Sequence, residues 1–342
     1  MTGTCSVSRG FSLIELLVSM VIGLFLLGGL VMVMANSKQH YAQQDYSARL
    51  QESARFAMQF LSYDIRMAGY FGCSNALQNE PSDIGLGDED YLDTRGNDAL
   101  SDSITIVYAE PAPPAQEVVV QALADPAAQA NVYTVDADKL PTDWEAGTHA
   151  IIADCGGASL ARIIDITDDK VTLGTETDPG QTGKTPLQTE ALLGRFYDPS
   201  NVDSGPITIR RLIRREYSVD VSGTSGIPVL LRDEDPSDAN PGLEIVEGVE
   251  NLQFLYQILN GTSFQTATSA GPLAAVQLGV LVRSVSNDNL DDREFGSGAD
   301  ITVDDGGLDG AHPVVDQDVA VQPLRGRRRV FSNTLAIRNL PL

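Results

Sequence analysis

Residues 10–35 read GFSLIELLVSMVIGLFLLGGLVMVMA. The 20 residues from Leu16 to Ala35 carry no charged side chain, and this is about the length that a helix needs to cross the apolar core of a bilayer. One carboxylate, Glu15, stands at the head of this run, and the only basic side chain before it is Arg9. The stretch therefore predicts a long apolar helix close to the N-terminus.

Three interpretations of this helix compete. The first is a secretory signal peptide that is cut after the run, near Met34 and Ala35, but conventional signals have 7–15 apolar residues and no carboxylate. The second is a membrane anchor that is never cleaved. The third is a short leader that is removed ahead of the run, so that the mature chain keeps the helix.

The third interpretation rests on a resemblance. The segment Gly10–Val18, GFSLIELLV, resembles the class III signal of type IV pilins and type II secretion pseudopilins. It has a Gly before the cut, a Phe after it, a Glu four residues beyond the Phe, and then an apolar helix. The resemblance implies that a prepilin peptidase cuts between Gly10 and Phe11 and methylates the new amine of Phe11. Residues 1–10 would then be the leader, which here has one basic residue where several are common.

Glu15 has a chemistry of its own. An ionised carboxylate near the apolar core of a bilayer costs several kcal/mol unless it is paired. Cleavage after Gly10 places a positive amine on Phe11, one helical turn from Glu15. The carboxylate can pair with this amine, or with the amine of a neighbouring subunit during assembly. The alternative is an acid that reaches toward the membrane interface without a specific partner.

The helix is expected to continue beyond the membrane. Apolar residues recur at helical spacings on one face after Ala35, and Gly69 is the natural stop. These residues are Tyr46, Leu50, Ala54, Ala57, Leu61, Ile65 and Ala68. A helix over residues 11–68 would be roughly 87 Å long. Residues 11–35 form its membrane or filament-core half, and residues 36–68 form an amphipathic half that lies on a head. Gly23, Gly28 and Gly29 are the expected weak points within a filament.

Residues 69–342 contain short β-type runs between Gly, Pro, Asn and Asp, with no alternation of strands and helices. The predicted fold class is therefore α+β, a long N-terminal helix packed on a large antiparallel β-rich head, which divides into two lobes near residues 200–206 or remains one. The predicted strands are 104–108, 117–121, 150–153, 160–166, 170–173, 207–213, 215–221, 228–232, 252–258, 275–285 and 329–338.

Two cysteines, Cys73 and Cys155, remain once a leader containing Cys5 is removed. In a chain exposed outside the cytoplasm they predict one disulfide, and two buried free thiols are the alternative. Major pilins usually close a disulfide loop near the C-terminus. No Cys follows Cys155, and the resemblance therefore implies that this chain is not the bulk filament subunit.

Three further segments resemble the PilW-type minor pilins of type IV pili. They are SYDIRMAGYFGC at 62–73, IVEGVENLQFLY at 245–256 and RRRVFSNTLAIRN at 327–339. This resemblance implies a minor pilin that primes pilus polymerisation within a tip complex, as a single-pass inner-membrane protein with a periplasmic head. Its partners would be other minor pilins, the major pilin and a tip adhesin, and its downstream roles twitching motility, adhesion or DNA uptake. The J-type pseudopilin of a type II secretion system is the second hypothesis.

Charge is distributed unevenly along the chain. The net charge of −24 argues against direct binding of nucleic acid, which needs clustered cations. Residues 288–318 hold ten acids and one base. Asp304, Asp305 and Asp309 are candidate calcium ligands there, although they do not match an EF-hand and a solvated acidic loop is the alternative. Two basic tracts, residues 210–215 and 325–329, can pair with acids in the fold or in an assembly.

The sequence favours no enzyme and no cofactor. His40, His149 and His312 are isolated, and neither a G-x-S-x-G nor a phosphate-binding G-x-x-x-x-G-K-[ST] motif occurs. A third hypothesis, a membrane-anchored periplasmic hydrolase or binding module, predicts an N-terminus that is unprocessed or conventionally cleaved.

Overall fold

The computed structural model describes residues 13–74, 92–95 (backbone only), 101–124, 132–174, 197, 199, 205–223, 225–234, 242–259, 261–264, 273–283 and 328–337. It begins with helix α1, Leu13–Met67, which has 55 residues and is about 82 Å long at 1.5 Å per residue. The predicted long helix is confirmed over these residues. It runs without a break through Gly23, Gly28 and Gly29.

Helix α1 ends where the sequence predicts. The Ala68 N–H still donates to the Asp64 carbonyl at 3.0 Å, and Gly69 then takes a φ of +67°, a conformation that favours glycine. The Gly69 N–H donates to the Val107 carbonyl at 3.0 Å, so the chain leaves the helix directly onto a strand of the head.

The described part of the head is made of antiparallel strands. They are β1 Leu92–Arg95, β2 Ser103–Ala109, β3 Val118–Leu123, β4 Val132–Val135, β5 His149–Asp154, β6 Gly157–Thr167, β7 Lys170–Gly174, β8 Thr208–Val221, β9 Pro228–Asp233, β10 Leu243–Glu247, β11 Val249–Ile258, β12 Leu273–Arg283 and β13 Arg328–Ala336. The predicted α+β class with an antiparallel head is confirmed.

Six of these strands form a closed ring in the order β8-β3-β4-β7-β6-β5, because β8 pairs with both β3 and β5. Apolar side chains fill the ring, among them Tyr133, Ile152, Ile163 and Ile209. The closed ring leaves no free strand edge among these six strands. The side chains that it encloses form a core of their own.

The other strands form the core against which α1 packs. The C-terminal half of β8 leaves the ring and pairs with β2 on one side and β9 on the other. Strands β11, β12 and β13 form a separate sheet with β12 in the centre. Alternate residues of β12, from Val276 to Val282, are fully buried in the same cluster as the helix residues Leu50 to Ala68. The alternation of apolar residues from Val276 to Val282 in the sequence accounts for this buried face.

The structure also corrects the strand assignments. The two predicted strands 207–213 and 215–221 correspond to one strand, β8, which begins at Thr208, since Arg214 pairs in register with Val107 of β2 and does not interrupt the ladder. Strands β1, β4 and β10 were not predicted. β4 has only four residues, and β10 reads LEIVE with an acid at every third position, so neither has a strong apolar alternation.

Candidate functional site

The N-terminal half of α1 is an uncovered apolar surface. Its most apolar window has a mean hydropathy of 2.7, and none of that window is buried. A core helix of a soluble protein would be covered by its own chain, whereas here Leu13, Phe25 and the large apolar residues between them are all exposed. This half has the length and composition of a membrane span.

Glu15 lies in the first turn of this uncovered half and is exposed. The first basic side chain that follows it on the described helix is Lys38, about 35 Å away along the axis at 1.5 Å per residue. Within the described residues of α1, Glu15 is thus the one acid set in the apolar run. Gly10 and Phe11, the predicted cleavage and methylation site, lie outside the described residues, and their roles stay predictions.

A buried polar cluster joins the second half of α1 to the head. The Asp64 side chain is 2% exposed and accepts hydrogen bonds from the Tyr108 hydroxyl at 2.9 Å and the Tyr217 hydroxyl at 2.5 Å. Arg215 Nη1 lies 3.0 Å from Asp64 Oδ1 and 3.2 Å from Oδ2, and it also donates to the Tyr108 hydroxyl at 2.9 Å. One carboxylate of the helix is therefore held by β2 and β8 together.

The electrostatics of this cluster keep both tyrosines neutral. Burial raises the pKa of Tyr108 and of Tyr217, and the neighbouring Asp64 carboxylate raises both further. Burial lowers the pKa of Arg215, but Asp64 together with Tyr108 and Tyr217 raises it more, so that the net shift is upward. The cluster thus holds Arg215 charged and both hydroxyls protonated, in the state that can donate to Asp64.

Sequence reasoning missed Asp64, although a signal was present. Its position lies next to Leu61 and Ile65 on the buried face of α1. A carboxylate on a core-facing position needs a partner, because burying an unpaired charge is very costly. The basic tract at residues 210–215 supplies that partner.

Two parts of the chain match known protein families. Residues 5–31 match the prokaryotic N-terminal methylation motif, and this match covers Gly10, Phe11, Glu15 and the first turns of α1. Residues 216–339 match the family described as type IV pilus-assembly protein W. Together the two matches support a PilW-type minor pilin. No curated protein and no solved structure matches the chain.

The second match coincides with the core on which the helix lies. It begins in β8 at residue 216 and extends past β13, so it includes β9 to β13 and Tyr217 of the Asp64 cluster. This minor pilin takes part in type IV pilus assembly. Neither match supports the secretion pseudopilin. Both families are structural proteins of pilus assembly, whose members contact other pilus components.

The disulfide of the minor pilin lies where α1 joins the head. Cys73 and Cys155 are bonded, with their Cα atoms 4.6 Å apart, and the bond ties the segment after α1 to the turn between β5 and β6. Gly205 packs against it with a φ of +72°, and a Cβ there would lie 2.9 Å from Cys155 Sγ. The predicted disulfide is present.

Several described arginines of the two basic tracts form ion pairs within the head. Arg210 pairs with Glu117, and Arg211 Nη1 lies 2.7 Å from Asp143 Oδ2. Arg328 Nε lies 2.6 Å from Oε2 of Glu250, whose side chain is only 8% exposed. Of the two possibilities left open by the sequence, pairing inside the fold holds for these arginines and for Arg215.

The calcium prediction is not addressed by the described residues. Asp304, Asp305 and Asp309 lie outside them. Among the residues that the structure describes, no group of three His, Cys, Asp or Glu side chains is arranged to hold a metal ion.

Proposed function

We propose that this minor pilin primes pilus polymerisation as part of a tip complex with other minor pilins, without catalysing a reaction. The observation that carries the proposal is the division of α1 into an uncovered apolar half and a half that is locked onto a large head. The first half offers a packing surface in the membrane, and the head offers lateral contacts. A stable complex of such subunits would lower the barrier to the first turn of a filament.

The proposed mature form starts at methylated Phe11, after a prepilin peptidase has removed residues 1–10. It spans the inner membrane once over residues 11–35 and places the head in the periplasm, and after assembly it lies at the pilus tip. The disulfide supports this orientation, because disulfides persist in the periplasm and not in the cytosol. Proposed partners are other minor pilins, the major pilin and a tip adhesin.

A deletion strain tests the proposal. Surface filaments are sheared from cells that lack this chain, the major pilin is quantified, and type II secretion is assayed in the same culture. We expect loss of surface pilin with secretion intact, and restoration by the wild-type chain. Intact pili with failed secretion would instead assign the chain to a secretion pseudopilus, and an N-terminal peptide other than methylated Phe11 would contradict the proposed processing.

A further inference from the structure

The strand ring is an insertion between two paired strands of the head. Strands β2 and β8 are antiparallel neighbours, and their ladder ends with Ala109 opposite Leu212. The Glu110 N–H also donates to the Arg211 carbonyl at 2.8 Å, so the two strands are still paired where the chain leaves them. Residues 111–210 contain β3 to β7 and the first residues of β8. This segment therefore starts and finishes at points that lie about 5 Å apart.

The inserted segment has a core that it does not share with α1. The buried side chains of the ring core all lie between Val118 and Ile209. Among the described residues, the core on which α1 packs includes none from 111–210. A third and smaller apolar cluster joins the two parts, with Val107 on one side and Ile151 on the other. The segment thus has a closed sheet and an interior of its own, which are the features of a separate structural unit.

Both family matches leave this segment out. They cover residues 5–31 and 216–339, and the second begins in β8 only after that strand has left β5 and paired with β2. The matched parts are the start of α1 and most of the strands on which its second half packs. The features by which this chain resembles pilus-assembly proteins therefore do not include the ring.

The ring is attached at the end of α1 that lies farthest from the apolar half. The small apolar cluster contains Phe71, and the disulfide joins Cys73 to Cys155, so both attachments follow directly after the helix. Met67, the last helical residue, lies 32 residues beyond Ala35, which corresponds to about 48 Å of helix. In the proposed orientation the ring is thus joined to the membrane-distal end of the helix.

We propose that residues 111–210 are an inserted display module with a role other than assembly. The minor pilin assembles through α1 and the core on which α1 packs, and the module offers a surface for contacts outside the filament. The location of the module on a pilus rests on the proposed function. Its separation from assembly rests on the two cores and on the paired strands that flank the insertion.

A matched pair of substitutions in the full-length chain tests the separation. Ile163 lies in the ring core and Leu278 in the core on which α1 packs, and both are fully buried. A carboxylate at either position is buried without a partner and should open the core around it. We expect Ile163→Asp to keep membrane level and incorporation into sheared filaments within twofold of wild type, and Leu278→Asp to lose incorporation at least tenfold.

Hydrogen exchange of the purified full-length variants shows which core each substitution opens. We expect Ile163→Asp to remove protection from β3 to β7 and to keep it in β11 and β12. Ile152→Asp repeats the test from β5, since Ile152 is also fully buried in the ring core. Opening of both cores by the ring substitutions, or a tenfold loss of membrane level or incorporation, would overturn the separate module.

Labelling of intact filaments tests the display. Asp168 lies in the exposed turn between β6 and β7, and the 11 residues of β6 separate this turn from Cys155. We expect a biotin-maleimide reagent to label Asp168→Cys on filaments to at least half of the extent reached after unfolding. Leu24→Cys, in the apolar half of α1, is the control and should reach less than a tenth.

Protection of Asp168→Cys to the same degree as Leu24→Cys would overturn the display. These outcomes are separate from the test of priming. If a strain that lacks the whole chain keeps normal surface pili, priming fails, and the comparison of incorporated variants still decides whether the module is needed for assembly.

Discussion

The two halves of α1 are parts of one helix that meet opposite surroundings. From Leu13 to Met34 the large side chains are exposed, whereas Leu50, Ala54, Ala57, Leu61 and Ile65 are buried against the head. Each half also contains one acidic residue among apolar neighbours. Glu15 has no cation near it on the described helix, whereas Asp64 is held by Arg215 and two tyrosines. The contrast teaches that the chain itself buries the apolar face and pairs the acid of the second half. The apolar surface and the acid of the first half are left for a membrane or a partner.

The largest expected effect is the loss of filament incorporation when Glu15, in the exposed half of α1, is replaced. Glu15→Ala should reduce incorporation of the minor pilin into sheared filaments to background, because it removes the charge proposed to pair with a Phe11 amine. Membrane level and the Cys73–Cys155 bond should not change, since Glu15 is exposed and lies on the half of α1 that the described part of the head does not cover. Glu52→Ala, an exposed acid on the locked half, is the matched control. Normal incorporation of the Glu15 variant would refute the pairing.

The next effect tests how firmly the second half is tied to the head. Cys73→Ser with Cys155→Ser opens a link across 82 residues, and we expect a loss of about 4.5 kcal/mol in the free energy of unfolding. The measurement is denaturant unfolding of the full-length protein in detergent. Trp144, the single tryptophan, lies in the core of the strand ring and serves as the fluorescent probe. Reduction of the wild type should give the same loss, and unchanged unfolding after reduction would contradict it.

A smaller loss is expected from the buried carboxylate. Asp64→Leu should destabilise the head by about 3 kcal/mol, because it leaves two buried hydroxyls without their acceptor and removes the buried carboxylate that pairs with the half-buried Arg215, whose other partner, Glu234, is exposed and 3.5 Å away. Asp45→Ala is the control, since Asp45 pairs with Arg49 at 3.0 Å on an exposed part of the same helix, where such pairs contribute little. Equal effects of the two substitutions on the unfolding midpoint would show that the cluster does not hold the helix.

The parts of this fold that sequence could predict are those decided by neighbours along the chain. The stripe from Leu50 to Ala68 repeats at helical spacing, and Gly69 ends it, so the whole helix was predictable. The partners of Asp64 were not, because Tyr108 and Arg215 lie 44 and 151 residues further along. Closure of the strand ring through β8 depends in the same way on pairings between distant segments, which no local pattern encodes.

The smallest effect separates the hydroxyls of the cluster from its charges. Unfolded tyrosines lose their protons near pH 10, whereas Tyr108 and Tyr217 have raised pKa values in the folded head. Above about pH 10 the folded state therefore binds more protons than the unfolded state, and its stability falls as pH rises. Tyr108→Phe or Tyr217→Phe should each reduce this slope by about 1 kcal/mol per pH unit, measured as unfolding free energy between pH 10 and 11, where the unfolded tyrosine passes from half to almost fully ionised. Tyr41→Phe, at an exposed tyrosine of α1 outside the cluster, is the matched control. The lost hydrogen bond lowers stability equally at every pH, so only the change in slope identifies the neutral tyrosines that hold Asp64. An unaltered slope in both cluster variants would show that these tyrosines do not have raised pKa values in the folded head.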